Sequence, residues 1–191
     1  HAATLSAYIA ELMQVPEMNQ QQPDAIAVSM GPGSYTGLRI GVSVAKGLCY
    51  GLDKPLIAVP TLEAMSSGFR ENIKSKVKDI PQNALFSPMI DARRMEVYTA
   101  LFTSENKLFK KTSAQIIESN SYDSLLADYI MYFFGSGADK VSELIINRNA
   151  IFENDFKHSS VYMAPIALKK YQNNQFENLA YFEPFYLKDF I

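Results

Sequence analysis

A glycine-rich turn in the stretch from Asp24 to Glu63 constrains the fold of this chain more than any other feature. The turn reads GPGSYTGLR at residues 31–39 and directly follows the short apolar run 24–30. A run of that length, bounded by Pro23 and Gly31, fits a buried strand better than a helix. Because glycine accepts a positive φ and proline fixes its own φ, the sequence predicts a strand that ends in a tight turn.

The residues after the turn predict a largely buried helix from Tyr35 to Gly51, capped by Ser34 or Thr36. Its polar residues recur at i, i+4, i+7 and i+11, which places them in one stripe along the helix. The stripe consists of Arg39, Ser43, Lys46 and Tyr50. A second apolar run, 55–60, follows. Strand, helix and strand at this spacing predict a right-handed βαβ crossover between parallel strands.

Further helices flank this unit. Residues 1–13 predict a helix, and the Gln/Asn/Pro-rich residues 15–23 predict a linker. Four apolar side chains share one face of that helix: Leu5, Tyr8, Ile9 and Leu12. Thr61 is predicted to cap another helix that ends at Phe69. The polar residues 70–83, with lysines at 74, 76 and 78, indicate a solvated face and a lobe boundary.

The second half of the sequence predicts a ribonuclease H-like order of elements, β, β, β, α, β, α. The runs that carry this order are strands at 84–91, 96–102, 108–117 and 129–134 and helices at 121–127, 138–146 and 165–172. The first half shows only the α, β, α, β end of the same order. The sequence therefore predicts two lobes, residues 1–80 and 81–191, of which the first lacks its leading strands. An aromatic tail, 182–190, is predicted to dock onto a core.

Composition and charge exclude several classes of protein. The chain has 191 residues, of which 48% are hydrophobic, so it can build a core without disulfides. Its net charge is −2 with dispersed lysines and arginines, which argues against tight nucleic-acid binding by this chain alone. The only cysteine, Cys49, lies in the apolar helix as a small hydrophobe and predicts a reducing compartment. We find no membrane-spanning run and no signal peptide, which predicts a cytoplasmic protein.

Three chemical interpretations of the glycine-rich turn compete. A dinucleotide fingerprint fails, because the glycine spacing is one residue too long and no acidic residue closes a second strand. A phosphate cradle fits better, since Gly31, Gly33 and Ser34 precede a helix N-terminus and Arg39 lies in its first turns. Loop geometry alone is nevertheless favoured over phosphate contact. The third interpretation is metal or nucleophilic catalysis, and the sequence supplies few residues for it.

The remaining polar residues supply little catalytic chemistry. His1 and His158 are far apart in sequence, and neither belongs to a metal-binding histidine pair. A second polar cluster lies between two predicted strands and consists of Asp91, Arg93, Arg94 and Glu96. Such a cluster can hold a substrate, but an ion-paired turn or a contact with a partner is the favoured interpretation.

Three stretches of the sequence resemble the bacterial TsaB (YeaZ) family, whose members were once labelled glycoproteases. They are DAIAVSMGPGSYTGLRIGVSVAKGL at 24–48, PLIAVPTLEA at 55–64 and IDARRMEVY at 90–98. The resemblance extends to the opening helix and to the closing FYLKDF at 185–190. It implies an α/β protein with the actin/Hsp70-like ATPase fold of two ribonuclease H-like lobes. Met95 stands where the family has glycine.

The resemblance also implies a function. It identifies a non-catalytic subunit that binds its paralogue TsaD, with TsaE, for transfer of threonylcarbamoyl to the adenosine beside the anticodon of tRNA. TsaD is expected to hold the ATP and the metal, and this chain alone is expected to bind no cofactor. The TsaD paralogue carries a His-x-x-x-His pair whose places fall here at Thr61 and Met65. Neither side chain replaces an imidazole as a metal ligand.

The resemblance places the partner surface on the first helix and the glycine-rich helix, which pair with the same helices of TsaD or of a second copy. Candidate partner-binding residues are Leu5, Tyr8, Ile9, Leu12, Arg39, Ser43, Lys46 and Tyr50. The alternative is that Leu5, Ile9 and Leu12 face their own sheet. Contact with tRNA is expected only through the complex, and a homodimer is expected for the protein alone. The alternative function is a stand-alone nucleotide-dependent enzyme or glycoprotease-like peptidase.

Overall fold

The structure, a computed structural model, describes residues 2–15, 22–77 and 79–187, with the side chains of 2, 3 and 76 left out. His1, residues 16–21 of the predicted linker, Lys78 and residues 188–190 of the tail lie outside the described residues. In chain order the elements are α1 (Ala2–Leu12), β1 (Ile26–Gly31), α2 (Tyr35–Leu52), β2 (Leu56–Pro60), α3 (Thr61–Lys76), β3 (Ala84–Asp91), β4 (Glu96–Thr103), β5 (Leu108–Ile116), α4 (Asp123–Leu126), β6 (Ile130–Phe134), α5 (Asp139–Ser142), β7 (Ala150–Glu153) and α6 (Ala164–Gln172). A 3-10 turn, Ser160–Met163, leads into α6.

The chain forms two compact units whose division differs from the predicted lobe boundary at residues 80 and 81. The first unit contains the described residues up to Val59 together with Pro165–Tyr186. The second contains Pro60–Ala164 and Leu187. The predicted boundary followed the polar stretch 70–83, but helix α3 continues through residue 76 and belongs to the second unit.

The strand, turn, helix and strand around the glycine-rich run are confirmed in the first unit. Strands β1 and β2 pair in a two-stranded sheet, and the Ile26 amide donates to the Pro55 carbonyl at 3.0 Å. Helix α2 begins after Ser34, whose hydroxyl accepts a hydrogen bond from the Gly37 amide at 3.3 Å. The core between α2 and the strands consists of Val42, Ala45, Cys49, Leu56, Ala58 and Phe182. Burial raises the pKa of the Cys49 thiol, which keeps it in its neutral form.

The second unit is built on a five-stranded sheet of order β5-β4-β3-β6-β7. Strands β3, β4 and β5 pair antiparallel, while β6 pairs parallel with β3 and β7 parallel with β6. The predicted order of three strands, a helix, a strand and a helix is confirmed. Strand β7 was not predicted, because a four-residue run with one charged end carries little periodicity.

Helix α3 lies on the second unit's sheet through apolar side chains at helical spacing. Leu62, Met65, Phe69 and Ile73 pack with Phe86 and other buried residues of β3, β4 and β6. The predicted end at Phe69 was too early because Ile73 is also buried. Thr61 was predicted as the cap, but the helix begins at Thr61 and Pro60 is its N-cap residue. None of the helices built from the described residues is both long and apolar enough to cross a membrane.

Two glycines on different helices give a matched test of helix packing. A Cβ on Gly68 would collide with the ring of Tyr162, whose hydroxyl accepts a hydrogen bond from Asn72 at 3.1 Å. A Cβ on Gly47 would meet no atom of the described residues within 4 Å. We expect Gly68→Ala to lower the free energy of unfolding by roughly 1–2 kcal/mol and Gly47→Ala to raise it by up to about 1 kcal/mol. Urea denaturation measures both, and shifts of the same sign would contradict the packing described here.

Candidate functional site

The glycine-rich turn is covered by the chain's own C-terminal segment. Gly31 is buried with a φ of 116°, a conformation that side chains rarely adopt. The Phe185 amide donates to the Met30 carbonyl at 2.7 Å. A Cβ on Gly31 would lie 2.6 Å from the Phe185 carbonyl oxygen and 3.2 Å from Leu38 Cδ1. Glycine is therefore required here so that the segment can approach the turn.

The three residues of the predicted phosphate cradle have distinct positions in this turn. Gly31 lies beneath the Phe185 carbonyl, and Ser34 uses its hydroxyl to cap α2. Gly33 is half-buried, and a Cβ there would come no closer than 3.9 Å to Leu38. A carbonyl oxygen beside Gly31 does not favour an anion at that place. The loop geometry accounts for Gly31 and Ser34 without a ligand, and phosphate contact stays a prediction.

The predicted polar stripe on α2 contains three exposed residues and one lysine that is hydrogen-bonded within the chain. Arg39, Ser43 and Tyr50 are exposed, and Tyr50 keeps 85% of its surface accessible. Lys46 is half-buried, and its ammonium donates to the carbonyls of Ala180 and Phe182 at 3.2 Å each. The stripe thus presents a face to solvent along most of α2, while Lys46 fixes the C-terminal segment beside it.

Helix α1 exposes most of its predicted apolar face. Tyr8 and Leu12 keep 65% and 58% of their surfaces accessible, Leu5 is also exposed, and Ile9 is half-buried. Helix α1 packs against α2. Leu5 and Leu12 are therefore not buried by the described residues, and both the partner surface and the alternative in which Leu5, Ile9 and Leu12 face their own sheet stay predictions. We call the exposed residues of both helices, Leu5, Tyr8, Leu12, Arg39, Ser43 and Tyr50, the helix surface.

Two aromatic residues that the sequence reasoning did not select join this surface at the start of α2. The Arg39 guanidinium lies 4.2 Å from the centroid of the Tyr35 ring, within the range of a cation–π interaction. The Tyr35 and Tyr186 rings lie 5.1 Å apart at 48°. The aromatic tail had been predicted to dock, but nothing in its pattern indicated where.

The predicted polar turn after β3 is organised by a lysine from a distant element. The Lys140 ammonium donates to Asp91 Oδ1 at 2.5 Å and to the backbone carbonyls of Arg94 and Glu96 at 2.7 and 2.6 Å. Arg93 and Arg94 have φ values of 72° and 49°, and both are exposed. This geometry is that of the favoured ion-paired turn. The Lys140 ammonium, together with the Arg93 amide, holds the pKa of Asp91 below its usual range.

Lys140→Met tests whether this lysine holds the turn. We expect the pKa of Asp91 to rise and the free energy of unfolding to fall by about 1 kcal/mol, because three acceptors lose their donor at a partly exposed site. Because the pKa of Asp91 is lower in the folded than in the unfolded protein, its ion pair stabilises the fold at pH values above the ordinary pKa of an aspartate. This stabilisation is lost as the pH falls through the lowered pKa of the folded protein. The variant should therefore lose less stability below about pH 4 than the native protein. Carboxyl NMR titration measures the shift, and an unchanged Asp91 would contradict it.

Thr61 and Met65 lie at the start of α3. By the resemblance, they occupy the two positions at which the TsaD paralogue has its metal-binding histidines. Met65 is buried, and its Cε would lie 2.5 Å from a Cβ on Gly135. Thr61 begins the helix. No group of three metal-ligating side chains occurs within residues 2–15, 22–77 and 79–187. His158 is exposed beside Phe156, at a ring distance of 6.3 Å.

Comparison with known proteins gives one family model and several relatives. The model described as TsaD, tRNA N6-adenosine threonylcarbamoyltransferase, matches residues 1–189. The Bacillus subtilis protein named tRNA threonylcarbamoyladenosine biosynthesis protein TsaB is 35% identical over 130 residues, which is 68% of this chain and 50% of that protein. The Haemophilus influenzae protein of the same name is 35% identical over 98 residues, 51% of this chain and 38% of that protein. The matches therefore span at most half the length of these relatives.

A solved structure resembles the whole chain. It is titled an uncharacterized protein with similarity to peptidase YEAZ from Pseudomonas aeruginosa, and it superposes with a TM-score of 0.81 at 22% identity. The match covers 98% of this chain and 84% of that one. It confirms the predicted α/β fold of the actin/Hsp70-like class.

Proposed function

The chain belongs to the family described as TsaD, tRNA N6-adenosine threonylcarbamoyltransferase, and within it to the TsaB (YeaZ) group, and on this premise we propose that it is a non-catalytic partner subunit in tRNA threonylcarbamoyladenosine biosynthesis. Its role is to bind the TsaD paralogue, with TsaE, for threonylcarbamoyl transfer to the adenosine beside the anticodon. ATP and metal are held by TsaD. Contact with tRNA occurs only through the complex, in keeping with the net charge of −2.

The exposed apolar side of α1 is the observation that carries this proposal. Tyr8 and Leu12 are large, accessible and one helical turn apart, and Arg39 and Tyr50 extend the helix surface along α2. Soluble monomers rarely expose apolar side chains in a contiguous patch unless a partner covers it. Tyrosine and arginine are also the residue types that dominate binding energies at protein interfaces.

The residue chemistry supports a binding role over a catalytic one. Thr61 and Met65 offer one hydroxyl and one buried thioether where the paralogue has two imidazoles. A thioether is a soft ligand and does not suit the metals that imidazole and oxygen ligands hold. The Cys49 thiol is buried and its pKa is raised, so it is a poor nucleophile.

Mixing the full-length protein with TsaD of the same organism tests the proposal. We expect a mixed dimer on a sizing column, a homodimer for the protein alone, and no heat when the protein alone is titrated with ATP and magnesium. Absence of the mixed dimer would remove the proposal. A stoichiometric ATP signal would favour the alternative, a stand-alone nucleotide-dependent enzyme or peptidase. A cytoplasmic location is part of the proposal, because the charged tRNA substrate and ATP are available there.

A further inference from the structure

The C-terminal segment of the first unit, residues 177–186, is fixed along its whole length. The Glu177 amide donates to the Leu56 carbonyl at 2.9 Å, and the Phe185 amide donates to Met30 at the opposite end. Between them, Lys46 of α2 binds two carbonyls of the segment, and the Phe182 side chain is buried in the core of the unit. The segment therefore follows a defined path past α2.

The path ends at the helix surface. Tyr186 meets the Tyr35 ring, and the same ring carries the Arg39 guanidinium at 4.2 Å. Tyr35 thus connects the end of the segment to an exposed cation of the helix surface. Tyr181, at 84% accessible, lies between the two residues whose carbonyls Lys46 binds.

Anchoring alone does not explain the position of Tyr186. Phe182 is buried and supplies the apolar anchor, and the backbone bonds at Glu177 and Phe185 fix the path. Tyr186 instead keeps 38% of its surface accessible, and its ring packs against the ring of Tyr35. An exposed arginine side chain loses conformational entropy when a partner binds it. The Tyr35 ring already restricts the Arg39 guanidinium in the free protein, so less entropy is lost on binding.

We infer that the segment 177–186 belongs to the partner-binding surface, and that Tyr186 is a positioning residue that holds Tyr35 and Arg39 ready for the partner. The inference rests on the proposed function and specifies its surface. The occupant is the TsaD paralogue, presenting an apolar helix to Tyr8 and Leu12 and an acidic or carbonyl oxygen to Arg39. The guanidinium suits such an acceptor because its donors form a planar fork.

Tyr186→Ala in the full-length protein tests this inference, with the dissociation constant for TsaD measured by calorimetry. We expect binding to weaken roughly threefold to tenfold, which corresponds to the loss of one aromatic pair. Tyr186→Phe keeps the ring and should bind within about twofold of the native protein. In an Arg39→Ala background, Tyr186→Ala should have a smaller effect, because the residue it positions is gone.

Tyr171→Ala is the matched control. Tyr171 has the same 38% accessibility and pairs with another ring, Phe176, at 5.8 Å in the same unit. It should change stability by a similar amount without changing the dissociation constant. If Tyr186→Ala fails to fold, Tyr186→Leu keeps the apolar bulk without the ring and is expected to bind as weakly.

The outcomes separate the inference from the proposed function. No mixed dimer with the native protein would overturn both. Native binding to TsaD with equal affinity for Tyr186→Ala, or Tyr186→Leu in its place, would overturn the inference and leave the proposed function standing. Equal weakening by Tyr171→Ala would also overturn it, since the effect would then be one of stability.

Discussion

Replacing Tyr8 and Leu12 of α1 with aspartate is expected to weaken binding to TsaD by at least about 100-fold while leaving the chain folded. Both side chains are more than half accessible, so their removal exposes no core. At an interface, each aspartate would bury an unpaired carboxylate where an apolar contact had been, and losses of 2 kcal/mol or more are typical of such central positions. Two such losses would give nearly 1,000-fold in the dissociation constant if they were additive, and because losses at interfaces are not additive we expect at least about 100-fold.

Ala7→Asp is the control for this double variant, and calorimetry or sizing with TsaD measures all three proteins. Ala7 lies roughly 100° from Tyr8 and roughly 140° from Leu12 around the axis of the same helix, outside their apolar face, and is also exposed, so aspartate there costs comparable helix propensity. Native-like binding is expected for Ala7→Asp. Full binding by the double variant would show that α1 is not covered by the partner, and equal loss in both would point to unfolding of α1.

The chain's local patterns were sufficient to predict most of the fold. The run 24–60 is periodic and bounded by glycine and proline, so its strands and helix follow from spacing. The short strands of the second half were also visible, because β-branched and aromatic runs such as 96–102 lie between turn residues. The extent of α3 depended on tertiary contacts instead. Ile73 is buried against the sheet of the second unit, but its neighbours in the sequence are polar, so the sequence around it does not indicate a buried helix.

Local sequence patterns also predicted part of the candidate site, but not the contacts between residues that are distant in sequence. Periodicity identified which faces of α1 and α2 carry apolar or polar side chains, and Arg39, Ser43 and Tyr50 are exposed as a stripe predicts. Periodicity does not reveal partners that are distant in sequence. Lys140 meets Asp91 across 49 positions, and Lys46 meets Phe182 across 136. These contacts decide that the polar turn is ion-paired and that Lys46 holds the C-terminal segment.

Gly31→Ala is expected to be the most damaging single substitution in the first unit. A side chain at a φ of 116° is strained by about 1–3 kcal/mol. The added Cβ would also lie 2.6 Å from the Phe185 carbonyl oxygen, which belongs to the backbone and cannot turn away as a side chain does. Overpacking of this kind costs about a further 1–3 kcal/mol, so we expect a loss of roughly 2–6 kcal/mol in the free energy of unfolding.

Gly33→Ala separates this effect from a general sensitivity of the turn. A Cβ on Gly33 would lie 3.9 Å from Leu38, an ordinary contact, so the change should cost less than about 1 kcal/mol. Urea denaturation measures both variants, and hydrogen exchange at the Phe185 amide reports whether the bond to Met30 survives. Since the same segment leads to Tyr186, Gly31→Ala should also weaken TsaD binding if it displaces the segment rather than only straining the turn. Equal stability of the two variants would mean that Phe185 does not cover Gly31, and the path of the C-terminal segment past α2 would then be wrong.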